Sequence, residues 1–140
     1  MNKVAVVYWS GTGNTEAMAM AVAEGAKGKG AEVSVITAAE FSPEQVDEYS
    51  AIAFGCPSMG SEQLEESEFE PMFTACEGRL SGKNIALFGS YGWGDGEWMR
   101  SWESRCNDAG ANLACESVIC NEAPDDDALA ACRELGASLA

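Results

Sequence analysis

The sequence predicts an α/β fold: a doubly wound, five-stranded parallel sheet with helices on both faces. Short apolar, β-branched runs recur along the chain. Each is followed by a segment of helical periodicity, with Gly-, Ser- and Asp-rich turns between them. Alternation of this kind requires crossover connections, and those place the strands parallel in one sheet. A length of 140 residues fits one domain, 1–140, and no linker, repeat or low-complexity tract divides it.

The elements follow in order. Lys3 to Trp9 (KVAVVYW) is a near-continuous apolar run, as expected of a strand buried on both faces. Asn14 to Lys29 is Ala- and Met-rich with a polar stripe, and ends in the breaker Gly28-Lys29-Gly30. Glu32 to Ala38 alternates and predicts a more exposed strand. Ser42 is a candidate N-cap for a short helix over Pro43 to Glu48. Ala51 to Gly55 is a third strand. Leu64 to Gly78 is expected to be helical, with Pro71 forcing a break or kink near Phe69 or Glu70. Asn84 to Ser90 is a fourth strand and Glu97 to Asp108 a helix, on which Trp98 and Trp102 share a core-facing side. Leu113 to Asn121 is a fifth strand. Pro124, near N1, and Asp125, Asp126 and Asp127 in the first turn open a last helix reaching Leu139.

Composition narrows the function. Eight Lys plus Arg oppose 23 Asp plus Glu, a net charge of −15. That field repels nucleic acid and anionic membranes, and steers basic protein surfaces toward the chain. Histidine is absent, which removes imidazole catalysis and most zinc and haem sites. No apolar run of about 18 residues occurs, and nothing near the start resembles a secretory h-region, so a cytoplasmic protein is expected. The six cysteines form no C-x-x-C pair and read as reduced, mostly buried thiols, with Cys56 in a loop of interest.

Ligands of open α/β sheets bind beyond the carboxyl ends of the strands. After the first strand stands Ser10-Gly11-Thr12-Gly13-Asn14-Thr15, leading directly into a helix. The glycines allow a tight turn, the side chains add neutral donors, and the helix start adds orphan N–H groups. This is a phosphate cradle. It lacks the lysine of a nucleotide P-loop, and Glu16 stands where a dinucleotide fingerprint needs its third glycine. After the third strand, Pro57, Ser58, Met59, Gly60 and Glu62 form a loop with a polarisable thioether. After the fourth, Ser90, Tyr91, Gly92, Trp93 and Gly94 present an indole bracketed by glycines, a stacking platform for a flat ring. Convergence of the three loops requires strand order 2-1-3-4-5. Flavin mononucleotide (FMN), a phosphate at one end and a planar ring system at the other, satisfies them.

The stretches YWSGTGNTEAM (Tyr8 to Met18), GCPSMGSEQLEESEFEP (Gly55 to Pro71) and LFGSYGWGDGEWMR (Leu87 to Arg100) together resemble the short-chain, clostridial-type flavodoxins over nearly the whole chain. The resemblance implies a flavodoxin-like sheet and non-covalent FMN. Ser10 through Thr15 would hold the phosphate, with Ser90 reaching toward it. Met59 and Trp93 would cover the two ring faces, and Glu62 would accept from ring N3–H. Backbone N–H groups near Gly92 and Trp93 would meet N1 and O2. Asn121 would approach the ribityl chain or the ring. The Gly60-Ser61 peptide corresponds to one that flips on reduction. Where some relatives carry a hydroxyl residue this chain has Pro57, which has no donor, and Ser58 is the neighbouring substitute.

The implied function is low-potential one-electron transfer, shuttling FMN between semiquinone and hydroquinone, with no catalytic residue and no metal. Glu62, Glu65, Glu66, Asp95 and Glu97 are expected near the ring, where their charges oppose the second reduction by up to about 90 mV in sum. Partners would be redox proteins with basic docking surfaces in transient complexes, and the chain itself a monomer. An FMN-dependent oxidoreductase of the same fold, quinone-reductase-like, is the alternative. A phospho-accepting signalling domain would need acids where Trp9-Ser10 and Gly55-Cys56 stand.

Overall fold

The computed structural model describes residues 2–59, 62–92 and 94–140. Its strands are β1 (Lys3–Tyr8), β2 (Glu32–Thr37), β3 (Ala51–Gly55), β4 (Asn84–Tyr91), β5 (Asn112–Leu113) and β6 (Val118–Asn121). Its helices are α1 (Asn14–Gly28), α2 (Pro43–Val46), α3 (Phe69–Glu77), α4 (Glu97–Asp108) and α5 (Asp126–Leu139), with a 3₁₀ turn at Ala38–Glu40. All strand pairs are parallel in the order β2-β1-β3-β4-β5, as the loop convergence requires.

Alternate residues of the central strands enter two different cores. Val4, Val6, Tyr8, Ala53 and Phe88 pack beneath α1 and α5. Ala5, Val7, Ile52, Phe54 and Leu87 face the other layer, with Phe69, Phe73, Trp98 and Trp102. Burial on both faces is why these strands are continuous apolar runs rather than alternating ones. Phe69, Phe73 and Trp102 meet edge to face or stacked at 5.4–6.1 Å between centroids. Trp98 and Trp102 are core residues, as their spacing on the helix predicted.

α1 and α5 touch through glycine. A Cβ on Gly136 would lie 1.9 Å from the Val22 carbonyl oxygen, and one on Gly25 would lie 1.9 Å from that of Arg133. At these two positions the helix backbones approach too closely for any side chain.

Three elements differ from expectation. The last strand is split: β5 and β6 both pair with β4, and residues between them leave the ladder where the Ser117 hydroxyl donates to Glu103 of α4 at 2.7 Å. α3 starts at Phe69 rather than Leu64, so Pro71 falls in its first turn, where a missing N–H costs nothing. Pro124 lies outside α5, because Asp125 takes the N-cap: its backbone is extended and its carboxylate accepts the Ala128 N–H at 2.8 Å.

Candidate cofactor groove

The β1, β3 and β4 strands are adjacent, so their carboxyl ends open side by side. Main-chain bonds extend the ladder past the strands. Trp9 N–H donates to Gly55 O (3.0 Å), Cys56 N–H to Phe88 O (3.1 Å) and Ser58 N–H to Ser90 O (3.0 Å). Two glycines permit this closeness. A Cβ on Gly55 would sit 2.2 Å from the Phe88 ring, and one on Gly89 would sit 2.1 Å from Cys56 O.

A groove of about 510 Å³ lies over these strand ends. Of the expected residues, Gly11, Thr12, Asn14, Pro57, Ser58, Met59, Ser90, Tyr91 and Gly92 line it. Ser10 and Gly13 open instead onto an adjoining cleft on the other side of the turn, shared with Tyr8, Trp9, Gly11, Glu16 and Glu68. Thr15 is buried behind the groove, its hydroxyl oxygen 3.4 Å from that of the buried Ser90. Gly60 and Trp93 lie outside the described residues.

The turn before α1 is shaped by its own atoms. Gly13 takes φ 95°, in the left-handed region, and its N–H donates to the Ser10 hydroxyl at 3.0 Å. The first-turn N–H groups of α1 have no intrahelical acceptors and carry the positive end of the helix dipole. The loop after β3 is closed by reciprocal main-chain bonds between Met59 and Gln63 (2.8 and 2.9 Å), and leaves Met59 39% exposed beside the groove. An apolar side chain left in the open beside a groove is surface that a ligand can cover. Ser58 spends its N–H on Ser90 O, so its hydroxyl is its remaining donor.

Several of the expected carboxylates have partners within the protein. Glu65 is buried and accepts N–H bonds from Ser67, Glu68 and Phe69 at 2.8–2.9 Å, together with the Ser67 hydroxyl. Burial alone would raise its pKa. The hydrogen bonds override burial and hold it below the usual range. Glu65 therefore serves the start of α3. Asp95 and Glu97 share Arg100, at 2.9 and 2.8 Å. Glu62 lies against Gly94 and accepts the Glu97 N–H at 3.1 Å, at the start of α4. Asn121 turns back to donate to Tyr91 O at 3.3 Å, so the groove wall there is Glu122 and Ala123.

Sequence reasoning missed Trp9, Glu122 and Ala123 as groove residues. Trp9 directly precedes Ser10, and Glu122 and Ala123 follow Asn121, so adjacency was the available signal. The four cysteines buried in the cores, Cys56, Cys76, Cys106 and Cys132, have thiol pKa values pushed up by desolvation, Cys132 to about 12.

Comparison with known proteins agrees with this geometry. The flavodoxin family profile matches residues 6–136. A flavodoxin of Megasphaera elsdenii is 46% identical over 137 residues, 98% of each chain. One of Clostridium beijerinckii is 44% identical over 135 residues, 96% of this chain and 97% of its own. The solution structure of two-electron reduced M. elsdenii flavodoxin superposes with a TM-score of 0.90 at 46% identity, covering 97% of both chains. With the strand order, the groove and these likenesses in agreement, the chain belongs to the flavodoxin family.

Proposed function

We propose that the groove over the β1, β3 and β4 strand ends holds FMN with its phosphate at the α1 turn and its ring toward Met59 and Tyr91. The chain is an FMN-binding electron-transfer protein rather than an enzyme, as its family membership establishes. When bound, the flavin supplies the redox chemistry, taking and giving electrons one at a time. One observation supports this reading: a single groove is lined both by Gly11 and the neutral polar residues Thr12, Asn14 and Ser90 and by the exposed thioether of Met59.

The chain's own groups divide the work. Thr12, Asn14 and the α1 N–H groups offer neutral donors to a phosphate dianion, with Gly11 letting the backbone approach, while Ser10, Gly13 and Thr15, which do not line the groove, enter this proposal on the family motif. The Ser90 and Ser58 hydroxyls add to that end. Met59, Pro57 and Tyr91 give apolar cover, and Gly92 and Gly94 keep the ring-edge loop open. Gly60 and Trp93 enter this proposal on the family motif, and Glu62, seated on Gly94, is assigned to ring N3–H. Glu122 and Ala123 take the wall first assigned to Asn121.

The electrostatic case for low potential survives in reduced form. Glu65, held ionised by its hydrogen bonds, keeps its negative charge, and Arg100 offsets part of Asp95 and Glu97. Glu62, Glu65 and Glu66 are left as the principal opposing charges, each contributing about 20 mV at about 10 Å before ionic screening. No helix among the described residues is long and apolar enough to cross a membrane. We read residues 1–140 as one domain, monomeric, cytoplasmic and docking transiently on basic surfaces of redox partners. The net charge of −15 supports that docking.

Titration of the apo-protein with FMN tests the reading. One-to-one quenching of flavin fluorescence and a yellow complex are expected. A colourless protein that leaves FMN fluorescence unchanged refutes it. Reductive titration should resolve two one-electron steps, and a single two-electron step refutes the carrier assignment. Electron-transfer rates to a basic partner should fall with ionic strength.

A further inference from the structure

Trp9 stands between the groove and the adjoining cleft, and its contacts join the turn before α1 to the segment before α3. Its ring lies against Gly11, where an added Cβ would come within 3.0 Å of Cη2. Its Nε1–H donates to Glu68 Oε1 at 2.9 Å. Glu68 is itself held, since its N–H donates to Glu65 Oε1 at 2.8 Å. The Glu65 N–H in turn donates to Cys56 Sγ at 3.3 Å, and Cys56 is tied to β4 through Phe88 O. A continuous path thus runs from the phosphate turn, through an indole and two glutamates, to the end of β3.

We propose that Trp9 and Glu68 are positioning residues for the phosphate end of the groove. The indole backs the turn at Gly11, and Glu68 latches the indole to the rigid start of α3. Neither residue need touch the ligand. The turn has no large side chain of its own to fix it, and its glycines leave it many conformations in the absence of a brace. A brace stores the ordering cost in the folded apo-protein, so that less is lost when a phosphate arrives.

The inference rests on FMN occupying the groove. Charge alone predicts the opposite outcome, because removing a carboxylate near a phosphate site should tighten FMN.

The test compares FMN with riboflavin, which lacks the phosphate, on wild type and on W9F, E68A, E68Q and W9F/E68A. W9F keeps most of the ring and loses the N–H without changing charge. W9F and E68A should each weaken FMN about fivefold and riboflavin less than about twofold, the scale of one exposed charge-assisted bond. The double variant should be no weaker than the worse single variant, since both break one latch. E68Q keeps an acceptor oxygen and should stay within about twofold of wild type. In the apo-protein, amide exchange across residues 11–14 should quicken in W9F and E68A. Glu68 is exposed, so E68A carries the test if W9F fails to fold. Equal weakening of both ligands, no weakening, or tighter FMN binding in E68A overturns the inference. A wild type that binds neither flavin overturns the FMN reading instead.

Discussion

Replacing Glu65 by alanine isolates a carboxylate that works for the fold, although it lies in a motif that looks dedicated to the cofactor. In the folded chain Glu65 is 5% exposed and receives the N–H groups of Ser67, Glu68 and Phe69 and the Ser67 hydroxyl. Alanine leaves these donors without an acceptor at the start of α3. Loss of an N-cap costs about 1 kcal/mol, and each buried donor left unpaired costs about 1–3 kcal/mol. Water reaches part of this turn, and the terms are not additive, so about 3 kcal/mol is expected for the whole. With a urea m-value of about 2 kcal/mol/M, the apo-protein midpoint should fall by about 1.5 M. The sign with pH follows from Glu65 being held below the ordinary carboxylate range when folded. The unfolded chain takes up this proton below about pH 4.3 while the folded chain does not. The stabilisation is therefore complete above that pH, and is lost as pH falls through the folded pKa. Urea curves at pH 7 and pH 3.5 should show the gap between wild type and E65A narrowing in acid. A gap under about 0.5 kcal/mol at pH 7, or one of equal size at both pH values, refutes the reasoning.

G136A should destabilise by about 3 kcal/mol or more, because its Cβ would meet the Val22 carbonyl at 1.9 Å and neither backbone can yield; urea unfolding measures it. Arg105 bridges Glu70 (2.6 Å) and Glu77 (2.7 Å) and lies over the Phe73 ring at 4.9 Å, so R105K should lose the planar fork and about 1 kcal/mol by the same assay. A thiol reagent at pH 8 should modify Cys115 and Cys120 first, and leave Cys56, Cys76, Cys106 and Cys132 intact until the protein is unfolded, as mass spectrometry of the timed reaction would show. E66Q should raise the potential of the second electron by about 20 mV at low ionic strength and less in high salt, read by potentiometric titration.

What the chain declares by itself is whatever depends on local pattern. The runs KVAVVYW, AIAFG and NIALFGS mark strands buried on both faces, because only such strands can omit polar residues. The glycine and hydroxyl order of Ser10 to Thr15 marks an anion turn, because its donors come from adjacent residues and one helix end. Residues after three separate strands point to one ligand, and strand order follows from requiring them to meet. Charge and the lack of histidine are sums, indifferent to folding.

What the sequence could not declare is where each side chain spends its hydrogen bonds. Glu62, Glu65 and Glu66 are the same residue type within five positions. One caps α4, one is buried in the turn before α3, and one is exposed. Their roles differ because the backbone aims each carboxylate at different donors, and those donors are distant in sequence or hidden in a turn. Between β5 and β6, Ser117 likewise bonds Glu103 of α4, a partner that only the fold brings near. Trp9 reaches Glu68 across 59 positions, a contact that packing creates and that no local spacing encodes.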